Sequence, residues 1–202
     1  MKQSKRVLRG LRIFFLLPLA LFLLVLCKAR ESKFGGLKSS TVSTVPTSYD
    51  PILALEVEQS RLAGIFKRHQ SAKVGEFMSV YPPIFASYTL RHLSKFSLLE
   101  IGNRRGETLR AYLEIFSKGD IYGLDLGVDE YKVHNTFRLN RENKRAHLFV
   151  GDQSDVDVLN RIGSHATSLC SGFDIITDDG GHTMLQQTAS LVNLWKFLKP
   201  GG

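Results

Sequence analysis

FDIITDDGGH, residues 173–182, decides the fold when it is read together with LLEIGNRRGETL, residues 98–109. Each stretch is a short apolar run that stops abruptly at carboxylates and glycines. Such runs predict buried parallel strands whose carboxyl ends open into functional loops. Ligands of open α/β sheets bind in the crevice outside those ends. We therefore expect one site built from both stretches.

Outward from these two stretches, apolar runs alternate with amphipathic segments. Strands are predicted over 97–101, 121–126, 147–150 and 173–177, and helices over 51–70, 107–116, 155–162 and 183–198, with a turn leading into a further helix in 78–93. The apolar residues of the last predicted helix are Leu185, Ala189, Val192, Trp195 and Phe197. This alternation predicts βαβ units. The expected fold class is α/β, a Rossmann-like doubly wound parallel sheet of which the first four strands are present.

The positive charge of the chain is confined to its N-terminal part. The 202 residues carry a formal charge of +8, and residues 1–38 hold nine Lys and Arg with one acid, which accounts for all of it. The rest of the chain has eighteen residues of each sign. A neutral body has no basic face for a phosphate backbone, so nucleic acid is excluded as a partner. With only Cys27 and Cys170, a disulfide framework and a CxxC-type metal cluster are excluded as well.

An uncharged apolar run, IFFLLPLALFLLVLC, covers residues 13–27 between basic flanks. We interpret residues 1–12 as a basic tail and 13–29 as an N-terminal membrane helix, a single-pass signal anchor. A cleaved signal peptide also fits a run of this length. Denser positive charge before the run predicts a cytosolic N-terminus and a lumenal body in the secretory pathway, in the ER or Golgi. An organellar presequence, a secreted protein and a buried core helix are the alternatives.

Residues 30–50 are rich in Ser, Thr and Gly and have few large apolar side chains. Such a composition cannot bury a core, which predicts a flexible stem. Asp50-Pro51 is a plausible start of a helix, so the folded domain is expected over 51–202.

Three of the predicted strands end in an acid. Glu100 precedes Gly102 at the first strand end, Asp125 ends the second strand, and Gly151-Asp152 follows the third. The dinucleotide pattern GxGxxG is absent, which disfavours a nicotinamide cofactor. An acid at the end of the second strand can accept both hydroxyls of a ribose. Three acidic strand ends in a row favour a nucleoside-type ligand.

The fourth strand ends in Asp178-Asp179-Gly180-Gly181-His182. Adjacent carboxylates point to opposite sides, so one can face a cofactor and the other a second ligand. Oxygen ligands suit a hard cation such as Mg²⁺. An imidazole near neutrality can accept a proton from a hydroxyl. The simpler interpretation is an Asx-Gly turn before the next helix, with a surface histidine.

As a whole, the pattern resembles class I S-adenosylmethionine-dependent methyltransferases. LLEIGNRRGETL is similar to their glycine-rich first motif, IYGLDL (121–126) to their second strand, and Gly151-Asp152 to their adenine-side acid. More narrowly, GDQSDVDVL, FDIITDDGGHTMLQQ and LKPGG resemble the metal-dependent sugar O-methyltransferases of macrolide biosynthesis and the related cephalosporin-hydroxylase-like group. The resemblance covers about residues 75–202.

The resemblance implies a role for each strand-end residue. The S-adenosylmethionine-binding residues would be Glu100, Gly102, Asp125, Asp152 and Asp178. Asp179 would be one Mg²⁺ ligand, and His182 would be the catalytic base that deprotonates the acceptor hydroxyl. The implied reaction is O-methylation of a sugar-like or natural-product acceptor, which is a small molecule or a glycan.

The family continues past a segment like Lys199-Pro200-Gly201-Gly202 into a fifth strand that ends in an acidic pair. We therefore interpret the methyltransferase-like domain as truncated, with four strands and an exposed sheet edge. The alternative function is a truncated, non-catalytic, membrane-anchored relative with an interaction or regulatory role.

Overall fold

The computed structural model describes residues 11–15, 24–28, 51–74, 76–81, 84–85, 88, 95–127 and 138–200, and for 11–15, 24–28, 51–55 and 76 it describes the backbone alone. Within these ranges the strands are β1 (Leu11–Phe15), β2 (Leu24–Lys28), β3 (Ser97–Ile101), β4 (Asp120–Asp125), β5 (Ala146–Val150) and β6 (Ile175–Asp178). The α-helices are α1 (Pro51–Arg68), α2 (Glu107–Ile115), α3 (Val156–Cys170) and α4 (Met184–Leu194). Short 3₁₀ turns cover Glu76–Ser79 and Trp195–Phe197.

Four parallel strands run from the middle of the sheet to its β5 edge, in the order β6-β3-β4-β5. Their residues are apolar because the sheet is covered on both faces, as parallel sheets require. The side chains of β3 alternate, so that Leu98 packs with α1 and α2 on one face while Leu99 packs with α3 and α4 on the other. The predicted α/β architecture with helices on both faces is confirmed.

The N-terminal apolar run differs from its prediction. In place of a continuous helix over 13–29, Leu11–Phe15 and Leu24–Lys28 are antiparallel strands, and β2 pairs with β6 from Leu24↔Asp178 to Leu26↔Ile176. Short apolar runs suit either structure, and pairing with β6 satisfies the backbone groups of the sheet edge that was expected to be exposed. Among the helices of the described residues, none is long and apolar enough to cross a bilayer. Residues 1–10, 16–23 and 29–50, which include most of the basic tail and the whole predicted stem, lie outside the described residues.

Two helices near the C-terminal end also differ from their predictions. Helix α3 runs to Cys170 and does not end at residue 162. Gly163 lies in its interior and contacts the ring of Phe197, since a Cβ there would lie 2.1 Å from a ring carbon. Helix α4 ends at Leu194, and a 3₁₀ turn over Trp195–Phe197 follows in place of the predicted continuation to residue 198. Of the apolar residues of the predicted helix, Trp195 and Phe197 pack against the core, whereas Leu185 and Val192 are exposed.

Candidate functional site

A cavity of about 590 Å³ opens at the carboxyl ends of the parallel strands. Glycine-rich and acidic strand ends meet there, as the crevice rule for α/β sheets predicts. Its wall combines apolar side chains with two acids, an arginine, a glutamine and a histidine; the lining residues used below are Ile101, Gly102, Arg104, Leu124, Asp125, Leu126, Gln153, Asp179 and His182. A wall of this size that is partly apolar and carries charges of both signs suits a nucleoside-type ligand.

The glycine-rich turn after β3 brings the backbones of two strand ends into contact. Gly102 has φ +81°, and a Cβ there would lie 2.3 Å from the carbonyl oxygen of Asp179. Its N–H donates to the Leu124 carbonyl at 2.8 Å, while the Asp179 N–H donates to the Ile101 carbonyl at 3.0 Å. Only glycine combines this conformation with this contact. The two stretches that decide the fold therefore meet at this residue.

Glu100 lies beneath the cavity and not in its wall. Its side chain is 1% exposed, and burial raises its pKa to about 7, although the nearby Lys73 ammonium opposes the rise. Oε1 lies 3.6 Å from Lys73 Nζ and accepts a 3.5 Å hydrogen bond from the Tyr112 hydroxyl. Oε2 has no partner among the described residues. A buried acceptor with spare capacity can receive a donor from a ligand above it.

Lys73 is the main component of the site that sequence reasoning missed. Its side chain is 2% exposed, and Nζ donates to Asp179 Oδ2 in an ion pair. Burial acts to lower the pKa of Lys73, but Glu100 and Asp179 outweigh it and raise the pKa. A single lysine between Ala72 and Val74 carries no periodic pattern, so its burial could not have been read from the sequence.

Asp125 stands in the cavity wall at the end of β4, where an acid was predicted to hold a ribose. Its Oδ2 accepts from the backbone N–H of Arg104 at 2.8 Å, and Oδ1 accepts from that of Gly127 at 3.4 Å. Each carboxylate oxygen has a second lone pair, so the side chain can still accept two hydroxyl donors. Leu124 and Leu126 flank it with apolar surface suited to a base.

The turn after β5 places a different side chain in the cavity than expected. Asp152 is exposed and lies outside the cavity lining, because Oδ1 accepts from both N and Oγ of Ser154, which holds the pKa of this acid below its usual range. The neighbouring Gln153 points inward, is 5% exposed and lines the cavity. Residue order could not show which of the two adjacent side chains turns inward.

Asp178 is buried behind the cavity by a network centred on Gln153. Nε2 of Gln153 lies 3.2 Å from both carboxylate oxygens of Asp178 and 3.1 Å from Ser190 Oγ, while Oε1 accepts from the Gly181 N–H. Burial raises the pKa of Asp178. The two adjacent acids point to different sides, as predicted. Asp179 lines the cavity, but Asp178 faces Gln153 and not the cavity.

His182 lines the cavity next to Asp179 and is exposed. Thr183 follows and caps α4 by accepting from the Gln186 N–H. The cap fixes where the helix starts and leaves His182 just outside it. The imidazole is therefore accessible to a molecule that enters the cavity.

A metal ion does not fit the described residues as they stand. No group of three His, Cys, Asp or Glu side chains that could hold a metal occurs in the described ranges. The carboxylate of Asp179, the predicted ligand, already accepts from Lys73. Mg²⁺ needs several oxygen ligands in near-octahedral geometry, and one ion-paired carboxylate does not supply them.

Comparison with curated proteins places the chain near one enzyme group. Over 97 residues it is 33% identical to mycinamicin VI 2''-O-methyltransferase of Micromonospora griseorubida and 34% identical to demethylmacrocin O-methyltransferase of Streptomyces fradiae. Each match covers 48% of this chain and 21% of the relative, so the matched part spans about a fifth of their length. No family model matches the chain.

Solved structures give the same result. The MycE methyltransferase of the mycinamycin biosynthetic pathway, in complex with Mg and SAH, aligns with a TM-score of 0.56 at 27% identity. The same enzyme with Mg, SAH and mycinamycin VI aligns with a TM-score of 0.56 at 28% identity. Both alignments cover 70% of this chain and 37% of the other. The chain is thus a relative of S-adenosylmethionine-dependent O-methyltransferases of the macrolide sugar group.

Proposed function

We propose that the cavity binds S-adenosylmethionine and that the protein transfers a methyl group to a hydroxyl of a sugar-like or natural-product acceptor. The observation that carries the proposal is the convergence of Gly102, Asp125 and Asp179 on one cavity, in a chain whose relatives are O-methyltransferases. The cofactor would supply a methyl group on a positively charged sulfur; the cavity wall carries the acids Asp125 and Asp179 and the cation Arg104, and Asp179 is paired with Lys73.

Each residue has a distinct part in this proposal. Asp125 accepts the ribose hydroxyls, Gly102 lets the ligand approach the end of β3, and Glu100 beneath it accepts a donor from the amino-acid portion of the cofactor. Asp178 contributes indirectly, by fixing the loop that carries Asp179 and His182. For Asp152 the sequence-based cofactor role stays a prediction.

His182 is the candidate general base. Its imidazole is accessible at the cavity and can accept the proton that the acceptor hydroxyl loses on methyl transfer. Asp179 lies in the same wall and can orient that hydroxyl. The Mg²⁺ role of Asp179 stays a prediction, and no step is derived through the metal.

Binding and transfer are tested separately. Calorimetric titration with S-adenosylhomocysteine measures cofactor binding, and transfer of a labelled methyl group to a panel of glycosides measures activity. His182→Ala should bind S-adenosylhomocysteine within twofold of wild type but transfer no methyl group. His69→Ala, which alters a histidine paired with Glu114, should keep both cofactor binding and methyl transfer. Absence of binding to the wild-type protein would overturn the cofactor site.

A second function, cofactor binding without catalysis, is favoured by one observation: Asp179 is occupied by Lys73. In that case the wild-type protein binds S-adenosylhomocysteine but methylates no acceptor. A membrane-bound protein with a lumenal body stays a prediction; since Leu24–Lys28 pairs with β6 in the structure, an anchor over 13–29 would require this strand to leave the sheet. Alkaline carbonate extraction of the full chain from cell membranes tests it, since an anchored protein stays in the pellet.

A further inference from the structure

Arg104 is a charged residue of the cavity wall to which the proposed function assigns no role. It is exposed at the cavity, and its guanidinium has no hydrogen bond or ion pair with any residue of the described ranges. The other cation near the cavity, Lys73, is 2% exposed and is already paired with Asp179 and Glu100. Arg104 therefore supplies the one permanent positive charge of the described cavity lining that a ligand can reach.

The turn after β3 holds Arg104 in an uncommon backbone conformation. Its φ is +50°, in the left-handed region that an arginine rarely adopts. Two hydrogen bonds maintain the turn: the Gly106 N–H donates to the Asn103 carbonyl at 2.8 Å, and the Arg104 N–H donates to Asp125 Oδ2 at 2.8 Å. Such backbone conformations cost energy and are concentrated at ligand sites. The turn therefore fixes the point from which the arginine side chain enters the cavity wall.

Arg104 lies at the junction of two parts of the proposed cofactor site. Its backbone is hydrogen-bonded to Asp125, the proposed ribose acid, and it follows Gly102 by two residues, where the ligand would approach the end of β3. The charged groups of S-adenosylmethionine are its sulfonium, its α-ammonium and its α-carboxylate. A guanidinium repels the first two groups and attracts the third. The carboxylate of the amino-acid portion is thus the group of this ligand that suits Arg104.

We propose that Arg104 binds the α-carboxylate of the cofactor and thereby makes the site specific for ligands that carry the complete amino-acid portion. The inference rests on the proposed function, since it takes the cavity as the cofactor site, but it does not depend on methyl transfer. Arginine suits this part because its planar guanidinium can donate two parallel hydrogen bonds to one carboxylate. The amino acid of the cofactor would then meet opposite charges at its two ends, with Glu100 facing the ammonium and Arg104 facing the carboxylate.

Calorimetric titration with two ligands that differ only in the carboxylate tests the proposal without any activity measurement. S-adenosylhomocysteine carries this group, and 5′-(3-aminopropylthio)-5′-deoxyadenosine is the same molecule with a hydrogen in its place. The wild-type protein should bind S-adenosylhomocysteine at least tenfold more tightly than the decarboxylated analogue. Arg104→Ala should lose at least tenfold in affinity for S-adenosylhomocysteine, while its affinity for the analogue should change less than twofold.

Two further variants separate recognition of the carboxylate from effects on the fold and on net charge. Arg104→Gly suits the positive φ and covers the case in which Arg104→Ala disturbs the turn; it should show the same loss for S-adenosylhomocysteine alone. Arg161→Ala removes an exposed arginine of α3 outside the cavity lining and is the matched control for charge. It should bind both ligands within twofold of wild type.

The outcomes distinguish this inference from the proposed function. Equal affinity of the wild-type protein for the two ligands would overturn the role of Arg104 while leaving the cofactor site in place. A loss of equal size for both ligands in Arg104→Ala and Arg104→Gly, or the same loss in Arg161→Ala, would overturn it as well. A wild-type protein that binds neither ligand would overturn the proposed function and this inference with it.

Discussion

Gly102 and Asp179 are in backbone contact at the adjacent ends of β3 and β6, where a Cβ on residue 102 would lie 2.3 Å from the Asp179 carbonyl oxygen and 2.5 Å from Gly180 Cα. Both of these atoms belong to backbone and cannot swing away. The glycine therefore sets how closely the ends of β3 and β6 approach each other in the candidate site.

Gly102→Ala should consequently disrupt both stability and ligand binding. We expect the free energy of unfolding to fall by about 1–3 kcal/mol from the positive φ and the clash, and S-adenosylhomocysteine affinity to fall at least tenfold. Gly64→Ala is the matched control, since nothing lies within 4 Å of a Cβ there and alanine favours the interior of α1. Denaturant unfolding and calorimetry measure the two effects. Equal behaviour of the two variants would contradict the contact.

Substitutions of Asp125 and of Asp152 should have different effects on affinity for S-adenosylhomocysteine, because Asp125 lines the cavity whereas Asp152 caps its own turn. Asp125→Asn keeps one oxygen for the Arg104 N–H but weakens acceptance of a ribose diol, so affinity for S-adenosylhomocysteine should fall at least tenfold. Asp152→Ala should change it less than twofold. Calorimetry decides, and a larger loss in Asp152→Ala would favour the sequence-based role over the observed geometry.

The strands that carry the site were predicted well from the sequence, because the residues at the end of a strand themselves determine where the strand ends. The apolar run over 97–101 ends at a glycine that must have positive φ, and β3 has the predicted bounds. Parallel pairing then brings the ends of β3 and β6 together without further information. Helix α2 was also predicted to within one residue, since its apolar stripe is buried along its whole length.

The parts that were missed depend on tertiary contacts. The burial of Lys73 requires two acids from separate strands, and no spacing in its own segment indicates them. Ser190 of α4 is buried and accepts from Gln153, while the apolar Leu185 and Val192 of the same helix are exposed. Hydrophobic periodicity cannot predict a buried polar network of this kind.

Gln153 is expected to stabilise the loop that carries the candidate base. Gln153→Ala leaves the buried Asp178 carboxylate without its amide donor and the Gly181 N–H without its acceptor, which should cost about 1–3 kcal/mol of stability. Exchange of the Gly181 amide hydrogen should be faster. Gln187→Ala, at a half-buried position of α4, is the control. Unaltered Gly181 exchange in Gln153→Ala would show that the network does not hold the loop.

Glu100 predicts a pH dependence of stability whose sign follows from its burial. Burial raises its pKa from 4.5 to about 7 in the folded protein, against the opposing effect of Lys73, so the folded state holds a proton that the unfolded state releases. The contribution is fully present below pH 4.5 and is lost as the pH rises through about 7. Relative to Glu100→Gln, the wild-type free energy of unfolding should therefore fall by up to about 3 kcal/mol across this window.

Urea unfolding at half-unit pH steps measures the difference, with Glu56→Gln, a substitution of an exposed acid of α1, as baseline. A difference that stays flat, or that rises with pH, would mean that Glu100 is ionised throughout, with the Lys73 ammonium outweighing the cost of burial.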